Sequence, residues 1–315
     1  MFLCSFFVIY IFNFFIPRLM PGDPFVYTSS ASGEDMDVEF SEEQIELMKA
    51  YYGMDQPLGT QFVRTVKSNV SGDFGMSIHY KKPVAAVLKE RIPWSLALMS
   101  AALVLSLLAG TGLALLGMQR KQFDRWTFKL LSAFTEIPSF LTGLLLLFLV
   151  GARVSWIPLS GGMTPFVRYS SVSEQACDLF IHALLPVTAL VIAVTPKFYF
   201  TARAAFLEVM KKPYLLNAKA KGLKERRIRW KYIFRNAMTP IVARFFLSVG
   251  TAVGGTLLVE NVFAYPGLGV VMREAVRYRD YPMIQGFFLL STVMVLISMF
   301  LADLINAGID REELE

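Results

Sequence analysis

Long apolar runs alternate with short stretches of Lys and Arg along this 315-residue chain. An apolar run of about 20 residues with few charges is typical of a transmembrane helix, because that length crosses the hydrocarbon core of a bilayer. The pattern predicts an all-α integral membrane protein with six transmembrane helices. The predicted helices are residues 1–17, 92–118, 130–151, about 179–200, about 240–259 and 283–302.

The first apolar run has two interpretations, a transmembrane helix or a signal peptide. A signal peptide has a basic region before the run and small residues at a cleavage site, and residues 1–17 show neither. As a helix the run spans about 25 Å, which is marginal for a core of about 30 Å. We interpret it as a transmembrane helix whose basic cytoplasmic flank is missing.

Basic residues between the apolar runs predict which loops face the cytoplasm, because cytoplasmic loops carry an excess of Lys and Arg. Residues 119–129 hold four basic residues and one acidic residue. Twelve basic residues lie between Arg203 and Arg244, opposed by Glu208 and Glu225. With both loops inside, six crossings place the N- and C-termini in the cytoplasm.

This topology divides the chain into four parts. The polar region after the first helix has eight basic and eleven acidic residues, a balance expected outside the cell. The parts are a first helix at 1–17, an extracytoplasmic segment at 18–91, a five-helix core at 92–304 with a cytoplasmic region at 201–240, and a cytoplasmic tail at 305–315.

Local signals predict the structure of the extracytoplasmic segment. The PGDP sequence from Pro21 to Pro24 indicates a turn. Ser41 and Gln44 have the spacing of a capping box, which predicts a helix from there to about Tyr51. Residues 71–84 are typical of irregular structure or short strands.

Composition supports the membrane assignment. The chain is 55% hydrophobic and 18% charged, with a mean hydropathy of +0.49, whereas soluble domains are about 25% charged. The net charge of +6 does not indicate nucleic-acid binding, because the charge lies in loops between apolar runs. Two cysteines and two histidines provide neither a disulfide framework nor a metal cluster, so we expect no metal site.

The sequence lacks the motifs of an internal energy source or a catalytic centre. It has no phosphate-binding G-x-x-x-x-G-K-[ST] loop, no H-E-x-x-H, no C-x-x-C and no G-x-S-x-G. We therefore predict no catalytic residues and no cofactor bound by this chain.

Glu136 lies beside Ile137 and Pro138, near the cytoplasmic end of the third predicted helix. An ionisable residue within a membrane helix is a candidate functional group. The other interpretation is an acid at the membrane interface that caps a helix or pairs with Arg125 or Lys129. Glu136 and Pro138 are therefore possible pore or interface residues.

The stretch from Tyr214 to Pro240 is a basic interruption, with eight Lys or Arg residues and one acid. Pro213 suits the start of a helix and Gly222 its end, which predicts a short helix at about 213–221. A second helix begins near Lys224, with apolar residues at helical spacing. This apolar stripe is Trp230, Phe234, Ala237, Met238 and Ile241.

Two functions fit this basic stretch, partner docking and attraction to anionic lipid. The small residues Ala218, Ala220 and Gly222 offer a close-packing surface that lipid does not require. They favour docking of a partner protein.

Six sequence segments together resemble one family, and the resemblance covers nearly the whole chain. The family comprises the membrane permease subunits of ATP-binding-cassette (ABC) importers, in the dipeptide, oligopeptide and nickel branch. The segments are RLMPGDP from Arg18, SGDFGMS from Ser71, WIPLSGG from Trp156, YLLNAKAKGLKERRIRWKYIFRNAMTP from Tyr214, ENVFAYPGLG from Glu260 and RDYPMIQG from Arg279.

The resemblance implies that the basic stretch is a coupling helix, the "EAA" loop, seated in a groove of an ATPase subunit. Ala218 and Gly222 match the second alanine and the glycine of the motif. Leu216 and Asn217 stand where the motif has its glutamate and first alanine, and Pro240 lies further from Gly222 than in the general pattern. The implied coupling residues are Asn217, Ala218, Lys219, Ala220, Lys221, Gly222 and Leu223.

The resemblance also implies the partners and the location. They are a homologous second permease, two ATPase subunits that use ATP and Mg²⁺, an extracytoplasmic solute-binding protein and the lipid bilayer, in the cell membrane of a bacterium or archaeon. Peptides, nickel and metal chelates are all possible substrates. Candidate residues for an outer gate or a binding-protein contact are Glu260, Phe263, Pro266, Gly267 and Gly269.

A self-sufficient secondary carrier or channel is the alternative function. Such a protein needs coupling groups inside the membrane, and intramembrane acids are scarce here. An inverted hydropathy repeat, common in secondary carriers, is also missing.

Overall fold

A computed structural model describes residues 2–20, 25 and 41–312. Helices dominate these residues, and the described chain holds no strand beyond an isolated bridge between Met76 and Pro83. The all-α prediction is confirmed. The predicted turn at Pro21–Pro24 lies outside the described residues.

We number the helices in chain order, and a 3₁₀ turn at Gly151–Arg153 follows the sixth. They are α1 Phe2–Arg18, α2 Glu42–Tyr52, α3 Leu58–Val70, α4 Val84–Gly117, α5 Lys121–Thr135, α6 Ser139–Leu149, α7 Val172–Val209, α8 Tyr214–Ala220, α9 Glu225–Val262, α10 Leu268–Arg277 and α11 Tyr281–Glu312.

Four of the described helices are long and apolar enough to cross a membrane: α4, α7, α9 and α11. Helices α5 and α6 form a fifth crossing only if they are counted as one bent span, with an angle of 102° between them. Helix α1 is apolar but shorter, at Cys4–Arg18.

The bend between α5 and α6 corrects the prediction of a single helix at 130–151. Pro138 disfavours helical geometry at the residue before it. Helix α5 ends at Thr135, and Glu136 is its C-cap residue. Residues 119–129, predicted as a loop, are already helical from Lys121.

Other predicted helices are longer than expected. The second begins eight residues earlier, at Val84, and the fourth runs from Val172 to Val209. The tail, predicted as a short polar end, is helical to Glu312. Hydropathy detects only the apolar part of a helix, so polar turns that continue beyond the bilayer were missed.

The chain forms two compact units. The first comprises residues 1–94 and 266–294, and the second comprises residues 95–265 and 295–315. In the first unit the predicted capped helix is confirmed: Ser41 accepts a hydrogen bond from the Gln44 amide, and the Gln44 side chain accepts one from the Ser41 amide.

Buried polar side chains hold residues 71–84 to α10 and α11 within the first unit. Asp280 is fully buried and accepts hydrogen bonds from the Ser77 hydroxyl and from the His79 amide at 3.0 Å. The Tyr80 hydroxyl donates to Glu274, and burial together with this bond raises the pKa of Tyr80 above its ordinary value. We call these five residues the Asp280 cluster. It joins two of the segments, SGDFGMS and RDYPMIQG, on which the family resemblance rests.

The second unit has two apolar cores. One lies among α4, α6, α7 and α9, around residues such as Ala189 and Val259. The other is formed by α7, α8 and α9, with Phe206 and Ile241 fully buried. This second core carries the basic stretch and supports the candidate site.

Candidate functional site

Helix α8 matches the predicted short helix at about 213–221 within one residue at each end. It runs from Tyr214 to Ala220, and Pro213 is its N-cap residue. Proline suits this place because its fixed φ is already helical and an amide hydrogen there would have no partner in the helix.

A Schellman motif ends α8. The Gly222 amide donates to the Lys219 carbonyl at 2.9 Å, and the Leu223 amide donates to the Ala218 carbonyl at 3.4 Å. Gly222 has φ +66°, the left-handed conformation that glycine adopts without strain. A β-carbon at Gly222 would meet no atom within 4 Å. The backbone conformation therefore favours glycine at position 222, and the space that a side chain would occupy there is open.

One face of α8 packs into the protein. Leu215 and Ala218 are buried, and they belong to the same core as Phe206 of α7 and Ile233 of α9. Leu223 packs against the edge of this core. The small helix is thereby attached to two long helices at once.

The other face of α8 is exposed. Leu216 is 71% exposed, although apolar residues normally cover a core. Exposed side chains also include Asn217, Lys219, Ala220 and Lys221. The expectation that Ala218 contributes to an open close-packing surface is wrong, because Ala218 faces its own core. Ala220 and Gly222 remain on the open side.

Helix α9 begins close to the predicted position, and it contains an unpredicted π-helical stretch at Ile228–Phe234. Each π turn shifts the helical register. As a result Ile228 and Ile233 are buried, whereas Trp230, assigned to the apolar stripe, is 52% exposed. The stripe prediction was therefore wrong at Trp230. It holds at Ala237 and Ile241, which lie beyond the π stretch and are buried.

A polar contact missed by the sequence reasoning joins α5 to α7 beside the same core. The Arg203 guanidinium donates to both carboxylate oxygens of Asp124, at 2.8 and 2.7 Å. The Tyr199 hydroxyl also donates to Asp124, at 2.9 Å. The two partners lie 79 residues apart, so no local pattern could have paired them.

Glu136 and Pro138 lie at the bend between α5 and α6. Glu136 is exposed, and within residues 41–312 it forms no ion pair with Arg125 or Lys129. Together with Lys197 of α7, it borders a cavity of about 220 Å³. The pairing of Glu136 with Arg125 or Lys129 is not supported, whereas the other form of that interpretation, an acid at a helix end, agrees with Glu136 as the C-cap residue of α5.

The predicted outer segment from Glu260 to Gly269 is less irregular than expected. Glu260 lies within α9 and is fully buried, as is Phe263, and α10 begins at Leu268. Burial, with the Glu260 charge nearby, raises the pKa of Tyr265 to about 12. The division between the two units falls just after Tyr265.

Among the described residues, no group of three or more His, Cys, Asp or Glu side chains could hold a metal ion. His182, one of the two histidines, contacts Asp178 through its ring nitrogen at 3.5 Å. The expectation of no metal site stays a prediction.

Comparison with known proteins identifies the family. Residues 102–313 match the family described as "Binding-protein-dependent transport system inner membrane component". The chain therefore belongs to this family: it is a membrane permease subunit of an ABC importer. Such a subunit is not an enzyme, spans the inner membrane several times, and works with ATPase subunits and a substrate-binding protein.

Individual relatives match over almost the whole length. The chain is 32% identical to a peptide permease protein of Brucella ovis, covering 94% of this chain and 91% of the relative. It is 30% identical to the oligopeptide transport system permease protein AppB of Bacillus subtilis, covering 95% and 92%. It is 29% identical to the glutathione transport system permease protein GsiC of Escherichia coli, covering 96% and 93%. Family membership decides against a self-sufficient carrier or channel.

Proposed function

We propose that this chain forms half of a pore through which peptides enter the cell, and that α8 couples the pore to a separate ATPase subunit. The relatives' names favour peptides as the substrate class, ahead of nickel or metal chelates. The observation that carries the coupling role is the two-sided character of α8, with one face buried in its own protein and a cationic face open.

The contacts of α8 suit the transmission of movement from an ATPase subunit to the long helices α7 and α9. Its buried residues Leu215 and Ala218 share a core with Phe206 of α7 and Ile233 of α9. Protein cores are close-packed and compress little, so a movement of α8 passes to both long helices. ATP-driven closure of the two ATPases would move the coupling helices together and switch the pore from the inward-facing to the outward-facing state. ATP hydrolysis would return the pore to the inward-facing state. This is a rigid-body switch between two states.

The complex comprises this chain, a homologous permease, two ATPases that use ATP and Mg²⁺, and an extracytoplasmic binding protein. Six crossings result when α1, the α5–α6 pair and the four long helices each cross once, with both termini in the cytoplasm.

Trp230 is exposed and bordered by basic residues such as Arg227, which suits the boundary between lipid and water. Lipid contact is thus a minor role of the basic stretch.

Glu260, Phe263, Pro266, Gly267 and Gly269 are proposed as the outer gate or the contact with the binding protein. Glu260 lies in the last turn of α9 and is fully buried, and Gly269 lies in the first turn of α10.

Charge reversal tests the coupling role. In Lys219→Glu/Lys221→Glu both substituted side chains are exposed, so folding should be unchanged. Peptide uptake by the reconstituted complex should fall on the order of tenfold or more, and less ATPase should co-purify.

The matched control is Lys81→Glu/Lys82→Glu, which makes the same charge change at exposed residues of the predicted extracytoplasmic segment. It should retain the ATPase at the wild-type level. Normal uptake and normal assembly in the Lys219/Lys221 variant would refute the coupling role.

A further inference from the structure

The cavity at the α5–α6 bend lies within the second unit, about 220 Å³ in volume. Its wall combines apolar residues with several hydroxyl side chains, and Glu136 and Lys197 are the charged residues that line it. Water has a volume of about 30 Å³ per molecule, so the cavity admits a small solute or a short part of a longer one.

The two charges are not neutralised by the chain itself. In the part of the chain that the structure describes, neither the Glu136 carboxylate nor the Lys197 ammonium forms an ion pair or a side-chain hydrogen bond. Two opposite charges that line one cavity without pairing complement a ligand that carries both an ammonium and a carboxylate.

A third polar group points to the same conclusion. Ser248 is 4% exposed and lines the cavity. Its hydroxyl can both donate and accept a hydrogen bond. A polar ligand in the cavity would find a hydrogen-bond partner there.

The broken helix adds fixed partial charges. The last residue of α5, Thr135, and the first residue of α6, Ser139, both line the cavity. A helix carries partial negative charge at its C-terminus and partial positive charge at its N-terminus. In membrane transporters such half-helix ends often border the substrate site.

We infer that this cavity is a contact site for a zwitterionic solute, such as a short peptide with free termini, on its way through the pore. Glu136 contacts the ammonium group and Lys197 the carboxylate, while Ser248 supplies a hydrogen bond. The peptide form of this inference rests on the proposed function.

Labelling of a single cysteine tests the site without requiring transport. Cys4 and Cys177 are exposed and are first replaced by serine, and Glu136→Cys is then introduced into the assembled complex. The Glu136 carboxylate is lost in this variant, while Lys197 and Ser248 remain to hold the ligand. A dipeptide with free termini should slow alkylation several-fold, and the same dipeptide with an amidated C-terminus should not. Equal alkylation rates with both peptides would overturn the inference.

Uptake measurements test the two charges directly. Glu136→Gln should lower uptake of the free dipeptide about tenfold, the loss expected for one charged hydrogen bond. Asp303→Asn, an exposed acid outside the cavity, should have no effect. The charge-swapped double variant Glu136→Lys/Lys197→Glu should recover part of the loss, because both charges are again present.

The outcomes separate this inference from the proposed function. If the wild-type complex imports no peptide, yet the dipeptide protects residue 136 from alkylation in the Glu136→Cys complex, peptide import would be defeated and the site supported. Normal wild-type import with equal uptake by Glu136→Gln and Asp303→Asn would defeat the site alone.

Discussion

Helix α8 and residues 71–84, which the Asp280 cluster holds, are both short segments fixed to longer helices, but by opposite means. Apolar side chains and backbone caps hold α8, and its polar atoms face outward. In the Asp280 cluster the polar atoms face inward: Asp280 and Ser77 are both fully buried. The arrangement at α8 leaves charged groups available to a partner, whereas the Asp280 cluster engages its polar groups in hydrogen bonds within the chain.

This difference separates docking from structure. An exposed lysine on α8 can be changed with little effect on folding, since its contacts are with water. A buried carboxylate such as Asp280 cannot, because each of its hydrogen bonds replaces hydration lost on burial. Charged residues of the two regions should therefore respond to substitution in opposite ways.

The largest effect is expected for Asp280→Ala. It removes the acceptor for the Ser77 hydroxyl, the His79 amide and the Met283 amide. A buried hydrogen bond to a charged group contributes about 1.5–3 kcal/mol, so the variant should lose at least about 3 kcal/mol of stability. Thermal unfolding of the purified complex in detergent measures this loss.

Asp55→Ala is the control for Asp280→Ala, because Asp55 is an exposed acid of the same unit. Its melting temperature should match that of the wild type. If Asp280→Ala melted at that temperature too, the Asp280 cluster would not stabilise its segment as described.

An intermediate effect is expected for Ala218→Leu, which tests the apolar attachment of α8. Ala218 is 4% exposed, and added methylene groups in a packed core typically cost about 1–3 kcal/mol. The cost should be local, with faster amide hydrogen exchange in α8 and weaker coupling of ATP hydrolysis to uptake.

Ala220→Leu makes the same change on the exposed side of α8. It should leave the exchange of α8 unchanged, so that any loss of coupling reports contact with the ATPase. Equal exchange rates in Ala218→Leu and Ala220→Leu would mean that Ala218 does not anchor the helix.

The sequence predicted well where the signals are local. Pro213 and Gly222 mark the ends of α8 because a helix start and a left-handed stop depend on adjacent residues. The Asp280 cluster was missed because Ser77 and Asp280 lie 203 residues apart. The π stretch at Ile228–Phe234 was missed because an apolar stripe is counted at a constant helical period.

The bend at Pro138 shows a signal that was present but outweighed. Hydropathy favoured one helix at 130–151, whereas proline argued for an interruption at the residue before it. Hydropathy measures the free energy of burial and contains no term for the direction of the backbone. At Pro138 the backbone preference outweighed mean hydropathy, whereas α4 continues through Pro93 and α7 through Pro186 and Pro196.

The smallest effect is expected for Leu216→Glu, which restores the acid of the family motif. Leu216 is the third residue of α8, and at 71% exposure its side chain is mostly outside the core. A carboxylate in the first helical turn interacts favourably with the helix dipole, by about 0.3–1 kcal/mol at an exposed position. Amide exchange in α8 should slow by about twofold, and Leu216→Gln, which matches glutamate in shape without its charge, should not slow it.

Faster exchange with glutamate than with glutamine would contradict the dipole argument. Slower exchange with unchanged uptake would mean that an acid here stabilises the coupling helix itself. Leucine would then be tolerated in this chain because Pro213 and the buried face already hold α8 in place.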